Sequence, residues 1–171
     1  FYDLTTGTNR DVISNIPGAT TAVAFDQSGH LYVGVGFGAD RGEIRRFDIA
    51  DLDAAYTADT ALEFDGSEGV TVNSADKNSG AGFFVSDAGY LFAGNGVQGG
   101  FTGISPAGVA VVYDLGKSFA SIEYDAFNDE FALIDGGSAE IFAASSFIPE
   151  PLGLTLLGLG AMLLLGRRRV A

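Results

Sequence analysis

Few residues in this chain of 171 can do covalent or acid–base chemistry. His30 is the only histidine and there is no cysteine. A serine-hydrolase triad would need His30 as its base. It sits in a polar turn where a related segment of the chain carries Tyr90, so packing or simple exposure is the expected role. One histidine without cysteines also leaves no ligand set for zinc. Oxygen ligands are more plentiful. Asp48, Asp51 and Asp53 form one acidic run, and Asp65 and Glu68 another. Calcium takes about six to eight oxygens from a curved loop. Neither run has the spacing of a helix–loop–helix calcium site, so solvated acidic loops are expected, with calcium as the one candidate cofactor. Gly94-Asn95-Gly96-Val97-Gln98-Gly99 has the glycine spacing of a dinucleotide loop. Such a loop must open a helix whose N-terminal amides face pyrophosphate. The following Gly100-Phe-Thr-Gly-Ile-Ser-Pro106-Ala-Gly108 cannot continue as a helix, so a flexible connection between strands is expected. Arg41, Arg45 and Arg46 are the only basic cluster of the body. With Glu43 among them they are expected on both faces of an edge strand, paired with local acids, and a polysaccharide or phosphate patch is the weaker reading.

The strongest chemical signal lies at the C-terminus. Pro149, Glu150 and Pro151 precede a fourteen-residue apolar run, Leu152 to Leu165, which is followed by Arg167, Arg168 and Arg169. Prolines cannot join a helix interior or donate to a sheet, so they hold this junction extended and open to an enzyme. Fourteen helical residues cover roughly 21 Å, against about 30 Å of bilayer hydrocarbon. The segment is short for a permanent span. The arginines stay on the cytoplasmic side during insertion, which places everything before Pro149 across the membrane. This three-part order resembles the PEP-CTERM sorting signal of Gram-negative bacteria. The resemblance covers residues 147–171 and implies recognition of the tail by an exosortase, a membrane transpeptidase-like enzyme. It further implies transient inner-membrane anchoring with the body on the periplasmic side. Removal of the tail then delivers the protein to the cell surface or the extracellular polysaccharide matrix.

The body, residues 1–146, suits export. Of 9 Lys/Arg and 22 Asp/Glu, the tail holds three arginines and Glu150, which leaves 6 basic and 21 acidic residues, a net of −15. Such a charge repels nucleic acid and anionic lipid. Disorder is not expected, because 47% of residues are hydrophobic and 12% aromatic. The chain opens Phe1-Tyr-Asp-Leu-Thr-Thr-Gly7 without an initiator Met or an apolar leader, which reads as a trimmed signal or as a fragment of a longer product.

Short apolar runs separated by Gly, Asp, Asn and Ser position these groups, and an all-β body is expected. The runs are residues 21–25, 31–35, 42–47, 82–85, 90–93, 108–113, 121–124, 130–134 and 140–143, and residues 50–56 can form a short, poorly capped helical turn. Segments repeat. Asp26-Gln-Ser-Gly-His-Leu-Tyr-Val-Gly-Val-Gly36 aligns with Ser86-Asp-Ala-Gly-Tyr-Leu-Phe-Ala-Gly-Asn-Gly96, and a shorter copy spans residues 124–133. An aromatic-Asp-aliphatic triplet closing a strand recurs as Tyr2-Asp3-Leu4, Phe47-Asp48-Ile49 and Tyr113-Asp114-Leu115. The unit resembles a blade of the NHL/SMP-30-like β-propeller group, in about three copies. Rings close with about four to eight blades, so the expectation is an incomplete propeller with lost N-terminal blades, followed by a C-terminal hydrophobic helix. A smaller sandwich of twisted hairpins is the alternative.

Taken together, these readings lead to the expectation of a non-enzymatic surface or matrix protein. A metal-dependent lactonase or esterase on the propeller is one alternative, and a carbohydrate-binding adhesive module is another.

Overall fold

The computed structural model describes residues 2–38, 41–73, 82–95, 99–117, 119–135 and 137–148. These are mostly β, in several small sheets. Strands β1 (Tyr2–Asp3) and β2 (Thr8–Asn9) form a short hairpin, and β3 (Ile13–Ser14) comes next. The first large sheet begins with β4 (Ala19–Phe25), β5 (Leu31–Phe37) and β6 (Ile44–Phe47). The chain then leaves it for a helix, α1 (Ile49–Ala58), and for β7 (Leu62–Glu63), which pairs in parallel with β3. It returns as β8 (Val70–Asn73) beside β6, giving the order β4-β5-β6-β8. The second sheet runs in chain order through β9 (Phe83–Val85), β10 (Leu91–Asn95), β11 (Gly100–Ile104) and β12 (Ala110–Asp114). The third contains β13 (Ser121–Asp125), β14 (Glu130–Ile134) and β15 (Ala139–Ala143), and a 3-10 turn, Ala144–Phe147, ends the described chain.

Turn chemistry sets the hairpins. Asp26 Oδ1 accepts from the Ser28 and His30 amides at 2.9 and 3.0 Å, and Gly29 takes φ +84°. In the second sheet Ser86 Oγ accepts from the Tyr90 amide at 3.2 Å, and Gly89 takes φ +76°. Both turns need a residue that tolerates positive φ in the same place, and glycine provides it without a steric penalty. In the third sheet Asp129 supplies the positive φ and Asp125 caps the turn.

Successive side chains of a strand point to opposite faces, and β9, β10 and β11 of the middle sheet bury both, while β12 is largely exposed. Phe83, Val85, Leu91, Ala93 and Ile104 meet Tyr32 and Ile44 of the first sheet. The alternate residues Phe84, Phe92 and Phe101 meet Ile122, Phe131 and Leu133 of the third. On the far face of the first sheet, Leu31, Val33, Val35 and Phe47 are covered by Leu52 of α1 and by Phe64. The outer face of the third sheet exposes Glu123 and Ile141. The first strands of successive sheets are neighbours, β4 with β9 and β9 with β13.

All nine expected strands form, within a residue or two of their bounds. Residues 50–56 belong to a helix of ten residues, one in which the N-cap Asp48 makes no side-chain capping bond. Two expectations are corrected. The glycine-rich stretch after Gly99 is no flexible connection: it forms β11, buried throughout, because Phe101 packs toward the third sheet and Ile104 toward the first. The arginine strand is not at an edge, since β8 pairs along the far side of β6. The described sheets close neither a barrel nor a propeller ring. The aromatic-Asp triplet also ends non-equivalent strands, the third of the first sheet at Phe47 and the fourth of the second at Tyr113, because α1 and β7 intervene before β8.

Candidate binding cleft

The groups expected to direct sorting, Pro149, Glu150, Pro151, the run Leu152–Leu165 and Arg167, Arg168 and Arg169, lie outside the described residues, and so does the expected C-terminal helix. Among the described residues no helix is long and apolar enough to cross a membrane. What the structure places is the end of the body. Phe147, expected at the start of the tail, packs into the aromatic core. Its ring lies 4.9 Å from Phe101 and 5.0 Å from Tyr113, edge-on to both, and 5.7 Å from Phe131. The Tyr113 hydroxyl donates to its carbonyl at 3.1 Å. The fold is thus tied down two residues ahead of Pro149.

A cleft of about 540 Å³ lies between the first and second sheets. Three turns converge on it. Two are the repeated turns at Asp26–His30 and Ser86–Tyr90. The third is Ser105-Pro106-Ala107-Gly108-Val109, built in the same way: Ser105 N–H donates to the Val109 carbonyl, Ser105 Oγ accepts from the Val109 amide at 3.1 Å, and Gly108 takes φ +79°. Sequence reading missed this third copy, although its polar-x-x-Gly spacing matches the other two.

A polar chain runs along the cleft on the side of the first sheet. Tyr32 and Arg46 are cross-strand partners on β5 and β6. The Tyr32 hydroxyl donates to Asp26 Oδ2 at 3.3 Å. Burial, and then the Asp26 charge, push the Tyr32 hydroxyl above its ordinary range, with Arg46 opposing them. Arg46 reaches Asp48 at 3.3 Å. His30 Nδ1 accepts from the Ile49 amide at 3.2 Å, and Asp48 Oδ1 lies 3.4 Å from the same nitrogen. The turn histidine is thus a docking point for the start of α1. Val72, Leu91 and Ile104 supply apolar wall.

The remaining sequence candidates are dispersed. Arg45 lies on the opposite face of β6 from Arg46, pairs with Glu43 at 2.7 Å and Asp65 at 3.4 Å, and sits 5.2 Å from the Phe64 ring centre. Both arginines therefore pair with local acids, as expected. Asp51 and Asp53 lie on α1 and do not share a curved loop with Asp48. Among the described residues no group of three or more His, Asp or Glu is placed to hold a metal. Gly94 and Asn95 end β10, and the chain after Gly99 is strand β11, so no helix N-terminus faces that loop. Residues 96–98 lie outside the described set. No protein-family model matches the chain, and no curated protein matches it significantly.

Proposed function

We propose that the chain is an exported, non-enzymatic surface or matrix protein, sorted and processed through its C-terminal tail by an exosortase-type membrane enzyme. The observation that carries this reading is the order of Pro149-Glu150-Pro151, the apolar run Leu152–Leu165 and Arg167–Arg169. A short apolar segment inserts without forming a comfortable span, the arginines orient it, and the prolines present an extended backbone to the enzyme. The position of Phe147 supports the same reading. Because its ring and carbonyl already belong to the body, a cut near residue 151 removes the tail and leaves every core contact of the described residues in place. An acidic body of net −15 remains soluble beyond the membrane.

The body is read as an array of propeller-type blades. Three antiparallel sheets whose first strands are neighbours support this, as does the burial of β9, β10 and β11 of the middle sheet on both faces.

Substitution tests the tail directly. In cells that contain the processing enzyme, Glu150→Ala together with Pro151→Ala is expected to leave an unprocessed, membrane-held precursor while the unchanged chain is released. Release of the double variant at the normal size would refute the assigned role of the motif.

A further inference from the structure

The cleft between the first two sheets has a chemistry that sorting through the tail does not use. Its charges are internally matched. Arg46 is the one cation lining it among the described residues, and Asp48 balances that charge at 3.3 Å, although Arg46 Nε is a buried donor without a hydrogen-bond partner. Asp26 is the one lining carboxylate among them, and three donors already occupy it: the Ser28 and His30 amides and the Tyr32 hydroxyl. An anion entering here would meet no unanswered positive charge and would have to approach a body of net −15. A cation would find a single carboxylate that already accepts three hydrogen bonds, too few oxygens for a metal site.

Neutral hydrogen-bonding capacity is what remains. His30 commits Nδ1 to Ile49, so Nε2 is the ring nitrogen left for a ligand. Ser105 Oγ accepts from the Val109 amide, which leaves its O–H free to donate. Ser28 and Thr71 add hydroxyls, and the Tyr32 oxygen keeps accepting capacity. Val72, Leu91, Ile104 and Pro106 also line the cleft and offer apolar surface. A volume of about 540 Å³ falls within the range of pockets that enclose small molecules.

Scattered hydroxyl partners, matched charge and apolar surface are the complement of a molecule that alternates hydroxyl groups with C–H faces. The geometry points to a binding site for a neutral, polyhydroxylated ligand, a sugar of one or two rings, held between the turns at Asp26–His30 and Ser105–Val109. The site owes nothing to the tail, so its test and the processing test fail separately.

His30 is the only histidine, and its imidazole protons therefore give a single, assignable NMR signal at the cleft. The full chain, purified in a detergent without a sugar headgroup, is titrated with glucose, galactose, maltose and cellobiose, and with glucuronate as the anionic counterpart. At least one neutral sugar is expected to shift the His30 signal saturably, and to do so at lower concentration than glucuronate. Tyr32→Phe and Ser105→Ala each remove one hydroxyl partner and are expected to weaken that response roughly fivefold, the scale of one hydrogen bond. Ser28→Ala, at an exposed turn position, serves as a third variant should the fold not tolerate the others. Silence toward all four neutral sugars overturns the proposal. So does an equal or stronger response to glucuronate, or a response that survives the variants unchanged.

Discussion

The Tyr113 hydroxyl donates to the Phe147 carbonyl at 3.1 Å, while the two rings meet edge-on with centres 5.0 Å apart. One strand of the second sheet thereby holds the last turn of the body against the aromatic cluster. The described residues are pinned through their last turn.

That anchoring of Phe147 predicts how truncation behaves. A chain ending at Ile148 should unfold at the same denaturant concentration as the full body, whereas one ending at Ser146 should unfold earlier. Phe→Ala at a fully buried site costs roughly 3–5 kcal/mol. Phe147 is half-buried, so Phe147→Ala is expected to cost about 2 kcal/mol, read from urea unfolding.

Tyr124 joins the turns of two sheets. Its ring stacks on Phe84 at 4.4 Å, its hydroxyl donates to Asp129 Oδ1 at 2.8 Å, and the Asp87 amide donates to it at 3.4 Å. Burial, and then the bond to Asp129, push the hydroxyl from 10.0 up to about 12. A group whose value is raised by folding contributes stability that is complete below its unfolded value and is lost as pH rises through its folded value. Stability should therefore fall as pH climbs from about 10 toward 12, and fall less steeply in Tyr124→Phe. At neutral pH the same substitution should cost about 1 kcal/mol, one hydrogen bond. Tyrosinate absorbance and unfolding curves across that interval check both statements.

Two glycines separate conformational strain from collision. Gly108 has φ +79° and open space where a Cβ would stand, so Gly108→Ala should cost about 1–2 kcal/mol for the left-handed backbone alone. Gly100 has φ +141°, and a Cβ there would collide with the Tyr113 carbonyl oxygen, 1.9 Å away. Gly100→Ala should add about 1–3 kcal/mol of overpacking and open the β11–β12 ladder. Thermal unfolding of the pair, with amide exchange at residues 110–114, distinguishes the two costs.

Acid acts on the turns. The Asn128 side chain and then the Phe127 amide hold the Asp125 carboxyl below its ordinary value, and the Gly137 and Ser138 amides do the same for Asp135. Lowered carboxyls contribute stability above their ordinary value, 3.8, and lose it as pH falls through the folded values. Asn128→Ala should move the Asp125 titration back toward 3.8, measured by carboxylate NMR.

The strands at Leu31–Phe37 and Leu91–Asn95 were legible because polar turns with a glycine in register bracket apolar runs. β11 was not, because its glycines imitate a loop. Gly103 lies in a strand because rings cover it: a Cβ there would stand 3.1 Å from Tyr113 and 3.2 Å from Phe92. The stacking of three sheets was also hidden, since a continuous apolar run such as Phe83–Val85 shows burial on both faces without naming the partners. The cleft joins Asp26, Arg46 and Ser105, residues from two sheets, and no one-dimensional spacing could connect them. The proposed sorting role shows the opposite case. It rests on the linear order of proline, apolar run and arginine, which sequence displays directly.

Intact-mass measurement of the exported protein tests the central claim most directly. The predicted result is a mature chain that keeps Phe147 and ends near Pro151, without Arg167, Arg168 and Arg169. Exported protein that retains those three arginines would contradict the claim.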